Sequence, residues 1–259
     1  MFACVFACGN NNKGQLGLGD ATSRNTFTAV PGLPDNTVVK EVVSSNNHTM
    51  ILAEDGTMFA CGGNAFGQLG LGDTTSRNTF TAVPELPDGK VAKQVVVGDN
   101  YTMVLAEDGT VFACGWNYRG LLGLGDTTDR SIFTAVPELP DGKVAKYVIA
   151  GYLHTMILAE DGTVFACGWN CEGQLGLGDF EGRHIFTAVP GLKIAKQVVV
   201  GICHTMILAE DGTLFACGLN CEGQIGLGNA TLRNTFTAVP GLPIVRPVSY
   251  THLTLPTKA

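Results

Sequence analysis

Apolar residues along this chain fall into short runs of strand length, separated by glycine, proline, aspartate or asparagine. In one stretch the runs read TVFACGW (110–116), FTAVP (133–137), AKYVIAG (145–151) and HTMILAE (154–160). They are apolar on both faces rather than alternating, which favours strands buried on both sides. The EDGT sequence after HTMILA contains an Asp-Gly pair, typical of a tight hairpin turn. The pattern therefore predicts an all-β fold of short strands, with no helical segment.

The same short sequence motifs recur along the chain with a period of about 50 residues, which is typical of repeat architectures. The complete repeats span 5–57, 58–110, 111–163 and 164–213, and a partial fifth spans 214–247. Four strands in a unit of this length predict a β-propeller, whose four-stranded blades bury both faces against their neighbours. We assign residues 1–247 to this propeller.

The charge pattern argues against direct nucleic-acid binding. The formal net charge is −7, and most basic residues occupy fixed repeat positions, so positive charge is spread around the molecule rather than gathered in a patch. These repeated residues are Arg24, Arg77, Arg130, Arg183, Arg233, Lys40, Lys93, Lys146 and Lys196.

The sequence also indicates a cellular compartment. No apolar run has the length of a membrane span, and the opening MFACVFACGN lacks the positive segment of a secretory signal. Five of the nine cysteines share one repeat position, as small core residues do: Cys8, Cys61, Cys114, Cys167 and Cys217. We therefore expect an intracellular, cytoplasmic protein with free, buried thiols and no membrane partner.

The glycine-rich and cysteine-rich motifs suggest cofactor or metal chemistry, but their repetition favours a structural role in the fold. GLGDTT (123–128) lacks the third glycine and the following helix of a dinucleotide-binding loop. The two C-x3-C pairs, Cys167 with Cys171 and Cys217 with Cys221, supply four candidate zinc ligands. Strand geometry aims the first cysteine of each pair into the core, so we predict neither a metal nor a cofactor.

Other repeated polar residues are interpreted as structural. A ring of histidines is interrupted by Tyr101, so hydrogen-bonded structural histidines are favoured over a set of ligands. The D-x-x-x-R spacing of Asp126 and Arg130 predicts an ion pair that closes a loop. The structural repeat positions are His48, His154, His204, Gly67, Gly120, Gly173 and Gly223.

The positions that break the repeat are the candidates for binding. Variation concentrates in the two residues before GQLG and the two before the histidine. Loops on a repeated scaffold are where specificity is usually placed, and neutral drift at exposed sites is the alternative. The predicted partner contacts are Tyr118, Arg119, Tyr152, Glu172 and Glu222.

The ordered words G-x-x-H-T and L-x-E-D-G-T-V-F-x-x-G-x-N-x-x-G-Q-L-G-L-G-D closely resemble the regulator of chromosome condensation repeat, from Val5 to about Pro247. The resemblance implies a seven-bladed ring, of which this chain is expected to hold part. An open arc of blades predicts self-association through its edges. This sequence departs from the family where Cys replaces the usual Trp before the first motif glycine, and where Tyr101 replaces the histidine.

The resemblance implies a protein-interaction scaffold, and no catalytic arrangement singles out one repeat, so we do not expect an enzyme. Two alternatives stay open: nucleotide exchange on a small GTPase by the complete propeller, and a regulatory propeller fused to a catalytic domain. Members that sense ultraviolet-B carry tryptophan where this chain has Asn46, Asp99, Tyr152 and Ile202, so photoreception is not expected.

The final segment, 248–259, matches no repeat and resembles a translated sequencing adaptor, so we interpret it as a non-native tail.

Overall fold

The computed structural model describes residues 5–34 and 37–243. The predicted tail, 248–259, and the end of the partial fifth repeat lie outside the described residues. The regular structure of the described part is strand, apart from three single turns of 3-10 helix. Those turns span Pro87–Gly89, Tyr118–Gly120 and Pro140–Gly142.

The strands form one two-stranded sheet and four four-stranded sheets, each antiparallel with consecutive strands as neighbours. The first sheet pairs β1 (Phe6–Gly9) with β2 (Arg24–Ala29). The second contains β3 (Val39–Ser44), β4 (His48–Ala53), β5 (Met58–Gly62) and β6 (Arg77–Ala82). The third contains β7 (Ala92–Val97), β8 (Tyr101–Ala106), β9 (Val111–Gly115) and β10 (Arg130–Ala135). The fourth contains β11 (Ala145–Ala150), β12 (His154–Ala159), β13 (Val164–Gly168) and β14 (Arg183–Ala188). The fifth contains β15 (Ala195–Val200), β16 (His204–Ala209), β17 (Leu214–Gly218) and β18 (Arg233–Ala238).

The predicted all-β fold of four-stranded blades is confirmed, and the seven-bladed ring stays a prediction. Each four-stranded sheet is a sequence repeat shifted by half a unit. The boundary placed after Thr110 falls inside the hairpin between β8 and β9, so a blade takes two strands from each of two successive repeats. Gly109 in this hairpin has a φ of 87°, the left-handed conformation that an Asp-Gly turn requires.

The two central strands of the blades form the core. Every residue of β4, β5, β8, β9, β12 and β13 is buried, as their apolar runs predict. The first strands β3, β7, β11 and β15 contact one another in sequence, which places them innermost and the fourth strands outermost. Tyr101, Met103 and Leu105 of one blade share a cluster with Ile157 and Phe165 of the next, so the core lies between blades.

The long loop between the third and fourth strands of one blade reaches the outer strand of the next. Leu124 forms a β-bridge with Ile185 of β14, and the Gly125 N–H donates to the His184 carbonyl at 2.8 Å. Gly120 in the same loop has a φ of 78°, and a Cβ there would lie 2.4 Å from the His184 Cα. These contacts tie consecutive blades together.

The first sheet leaves apolar side chains exposed. Phe27 is 67% exposed and Phe6 is 54% exposed. Cys8 of β1 is exposed, whereas the equivalent thiols of the four later repeats are buried. The expectation that all five are buried was therefore wrong for Cys8, because its sheet has only two strands in the described structure.

No helix among the described residues is long and apolar enough to cross a membrane.

Candidate protein-interaction face

Strand order places two sets of loops on one face of the arc, which we call the loop face. One set joins first to second strands (45–47, 98–100, 151–153 and 201–203), and the other joins third to fourth strands (63–76, 116–129, 169–182 and 219–232). The two sets are hydrogen-bonded, because the Trp169 N–H donates to the Leu153 carbonyl at 2.8 Å. The hairpins between second and third strands lie on the opposite face, which we call the turn face.

All five predicted partner residues lie on the loop face. Tyr118 is 41% exposed and Tyr152 is 42% exposed; Arg119 and Glu222 are exposed, and Glu172 is half-buried. Tyr152 lines an open depression where the inner strands meet, together with Asn46, Asp99 and Ile202. The variable positions before the histidine therefore converge on one depression, although they are far apart in sequence.

The structure adds three aromatic side chains, Phe66, Trp116 and Trp169, to the predicted contact Tyr118. Phe66, Trp116, Tyr118 and Trp169 form an aromatic row across three blades, with successive ring centroids 5.5, 5.2 and 5.7 Å apart. Trp116 and Tyr118 are stacked with an interplanar angle of 10°. Both tryptophans occupy the same repeat position, just before the buried asparagine of their loop. This shared position was the feature of the sequence from which the aromatic row could have been predicted.

Arg119 covers the end of this row. Its guanidinium carbon lies 5.1 Å from the Tyr118 ring centroid and 5.0 Å from that of Trp169. Both distances are within the range of a cation–π interaction, worth about 0.5–1 kcal/mol at an exposed site. Since Tyr118 and Trp169 belong to different blades, the side chain of Arg119 connects them.

The backbone of Arg119 is left-handed, with φ 61° and ψ 19°. The equivalent residues of the other repeats donate their N–H to a glutamine Oε1 two positions later, as Phe66 does to Gln68 at 3.0 Å. The third repeat has Leu121 at that position, and leucine offers no acceptor. The lost acceptor accounts for the altered turn that carries Arg119 over the rings.

His48 and His154 are buried between blades rather than gathered around a ligand, and His204 is half-buried. Nε2 of His48 lies 2.9 Å from the Thr102 Oγ1, and Nε2 of His154 lies 2.9 Å from the Thr205 Oγ1. Burial lowers the pKa of His48 to about 3 and that of His154 to about 4. Tyr101 makes the same kind of interblade contact, since its hydroxyl donates to the His154 carbonyl at 3.0 Å.

The other candidate sites occupy separate places. Cys167 is buried and Cys171 is exposed, so the C-x3-C pair does not converge, and burial raises the pKa of the Cys167 thiol. The predicted loop-closing ion pair is confirmed, because the Arg130 Nη2 lies 2.6 Å from the Asp126 Oδ2. Over the described residues, 5–34 and 37–243, no three His, Cys, Asp or Glu side chains group as metal ligands do.

One repeat position offers a stability test. Nε2 of Gln68 donates to the Asn100 Oδ1 at 3.4 Å, whereas the equivalent Nε2 of Gln174 is buried with no partner among the described residues. Cys203 stands at the position equivalent to Asn100. We expect Cys203→Asn to raise the free energy of unfolding by about 1 kcal/mol, because it gives that donor an acceptor. Urea denaturation measures the change.

The matched control for this substitution is Leu153→Asn. Leu153 occupies the same repeat position, but the residue opposite is Leu121 instead of glutamine, so the new amide finds no buried donor. We expect no stabilisation in the control, and equal effects of the two substitutions would contradict the assignment.

Comparison with known proteins identifies the repeat. The family model described as RCC1-like domain matches residues 5–253, a range that ends inside the segment 248–259. The chain is 33% identical over 178 residues to the ultraviolet-B receptor UVR8 of Arabidopsis thaliana, an alignment covering 68% of this chain and 39% of the relative. It is 34% identical over 166 residues to the secretion-regulating guanine nucleotide exchange factor of Bos taurus, covering 64% of this chain and 35% of the relative.

Solved structures show the same fold. The structure of human WBSCR16 superposes with a TM-score of 0.79 and 23% identity, covering 90% of this chain and 62% of that one. Yeast RCC1 (Prp20), solved bound to Kap60, superposes with a TM-score of 0.78 and 20% identity, covering 92% of this chain and 57% of that one. The chain therefore spans little more than half of these structures and well under half of the curated relatives. With a family match over nearly its whole length, the chain belongs to the RCC1-like domain family.

Proposed function

We propose that this chain is a non-catalytic protein-interaction scaffold whose loop face binds a protein partner. The observation that carries the proposal is that Tyr118, Arg119 and Tyr152 are all exposed and lie on loops of one face, the face where the repeat varies most. Aromatic residues and arginine are enriched among the residues that dominate binding at protein interfaces. A rigid blade core holds these loops, which lowers the entropy lost on binding.

The test compares the proteins that co-purify with three baits from cell extract. We expect a Tyr118→Ala/Tyr152→Ala variant to lose partners that the wild-type chain retains. The matched control, Glu107→Ala/Glu160→Ala, removes two exposed side chains of the turn face and should leave the partners unchanged. Loss of the same partners with the control variant, or with neither variant, would contradict the proposal.

Nucleotide exchange on a small GTPase is the second candidate. Its support is the 34% identity to a relative named as a guanine nucleotide exchange factor and the 39% identity over 125 residues to the human X-linked retinitis pigmentosa GTPase regulator. The test is release of a fluorescent GDP analogue from a panel of small GTPases. A scaffold leaves release unchanged, whereas catalytic acceleration by the wild-type chain would favour exchange. A regulatory propeller fused to a catalytic domain is compatible with the same loop-face binding.

A further inference from the structure

Arg119 differs from the other arginines of the described structure in what its guanidinium contacts. Four arginines each hold an aspartate of their own loop: Arg24, Arg77, Arg130 and Arg183. Arg233 donates to the Asn229 side chain. Among the described residues the Arg119 guanidinium makes no ion pair or hydrogen bond, and it lies over the Tyr118 and Trp169 rings. Its N–H donors are therefore available to a ligand.

A guanidinium carries its donors at the edge of its plane, in the fork that matches a carboxylate, and keeps them available while its carbon lies over an aromatic ring. The contacts with Tyr118 and Trp169 also restrict the rotamer freedom that an exposed arginine otherwise loses on binding. The aromatic row beside it supplies apolar surface across three blades. This surface matches a carboxylate next to an aromatic or aliphatic side chain.

The surrounding charges restrict the ligand further. Asp99, Glu172 and Glu222 lie on loops of the same face, so a run of acidic residues or a phosphate dianion is repelled there. A single carboxylate is attracted at Arg119, the cation that lies over the aromatic row. The row extends over roughly the length of four or five residues of extended peptide, at about 3.3–3.6 Å per residue.

We infer that the aromatic row and Arg119 bind an extended peptide segment of a partner protein, with one Asp or Glu carboxylate on Arg119 and an adjacent apolar side chain on the rings. This inference rests on the proposed function and specifies the partner chemistry of the same face. The left-handed turn at Arg119 is imposed by Leu121 and positions the guanidinium. Backbone strain of this kind often accompanies a binding site.

The experiment pans a phage-displayed library of random decapeptides against the immobilised whole chain. We expect enriched peptides to share one acidic residue beside an aromatic or aliphatic residue. Synthetic versions should bind the Arg119→Gln variant at least tenfold more weakly, as measured by fluorescence anisotropy. Lys13→Gln is the matched control, because Lys13 occupies the same repeat position in a repeat outside the aromatic row, and it should leave affinity unchanged.

A second variant tests the turn itself. Leu121→Gln restores the acceptor found in the other repeats, and we expect it to weaken peptide binding while Arg119 is still present. Thermal melting of each variant checks that the fold is retained. Unchanged binding in Leu121→Gln would overturn the role given to the turn.

Three results would overturn the inference: enriched peptides without an acidic residue, equal affinity for Arg119→Gln and wild type, or no enrichment. A dimer in sedimentation velocity that Arg119→Gln dissolves would assign the row to a second copy of the chain instead. Peptides that bind through Tyr152 independently of Arg119 would remove this inference and leave the proposed loop-face function standing. Partners unaffected by the Tyr118→Ala/Tyr152→Ala bait would remove the proposed function itself.

Discussion

Replacing Gly120 with alanine is expected to lower the free energy of unfolding by about 3 kcal/mol, whereas the same change at Gly223 should cost about 1 kcal/mol. Both glycines have positive φ, 78° and 74°, and a left-handed backbone costs an L-residue about 1–2 kcal/mol. A Cβ at Gly120 also meets the His184 Cα at 2.4 Å, while no atom of the residues that the structure describes lies within 4 Å at Gly223. Overpacking adds about 1–3 kcal/mol.

Urea denaturation of the two variants measures the interblade contact by difference, because the backbone cost is shared. Gly67 and Gly173 are as crowded as Gly120, with a Cβ 2.4 Å from the Ser131 Cα and 2.6 Å from the Asn234 Cα. Alanine at these positions should therefore behave as it does at Gly120. Equal losses at Gly120 and Gly223 would show that the loop does not press on the next blade.

Lowering the pH from 7 to 4.5 is expected to cost about 2–3 kcal/mol of stability for each fully buried histidine. His48 and His154 have folded-state pKa values of about 3 and 4, against about 6.5 when unfolded. A base whose pKa is lowered by folding stays neutral in the native state, so the unfolded state alone takes up protons in this range. Stability is therefore complete above pH 6.5 and decreases as pH falls toward 4.

His154→Tyr is the informative variant for the pH experiment. Tyr101 shows that tyrosine fits this repeat position when the residue three before it is glycine, because a Cβ at Gly98 would lie 1.8 Å from the Tyr101 ring. Gly151 meets that condition for His154, whereas Ser45 precedes His48. We expect His154→Tyr to fold and to lose the contribution of one fully buried histidine, about 2–3 kcal/mol between pH 7 and 4.5, measured by urea denaturation. An unchanged slope would contradict the pKa assignment.

The strands were accessible from the sequence because each apolar run is bounded by a strong turn signal. HTMILAE at 154–160 predicted β12, found at His154–Ala159, and TVFACGW at 110–116 predicted β9, found at Val111–Gly115. The first and last strand of a blade could not be predicted, because the length of a repeat does not show where the structural unit begins. A unit that starts at Val111 and one that starts at Ala92 repeat equally well, and only strand pairing distinguishes them.

The candidate site was accessible in part. Breaks in the repeat pointed to Tyr118, Arg119 and Tyr152, because a varied loop on a repeated frame is visible as a sequence pattern. The partnership of Arg119 with Trp169 was not visible, since the two residues belong to different repeats and meet through blade packing. The left-handed turn at Arg119 depends on Leu121, which stands where the other repeats have glutamine. In those repeats the glutamine Oε1 accepts a hydrogen bond from the turn, and its role is visible only in their structures.

The central claim is that a partner binds the loop face around the aromatic row. Hydrogen–deuterium exchange of the whole chain, with and without a partner recovered in the bait experiment, tests it most directly. We predict slower exchange in the loops 98–100, 116–129, 151–153 and 169–182, and no change in the turns 54–57, 107–110 and 160–163. Protection confined to those turns, with the loop-face segments exchanging as in the free chain, would contradict the account.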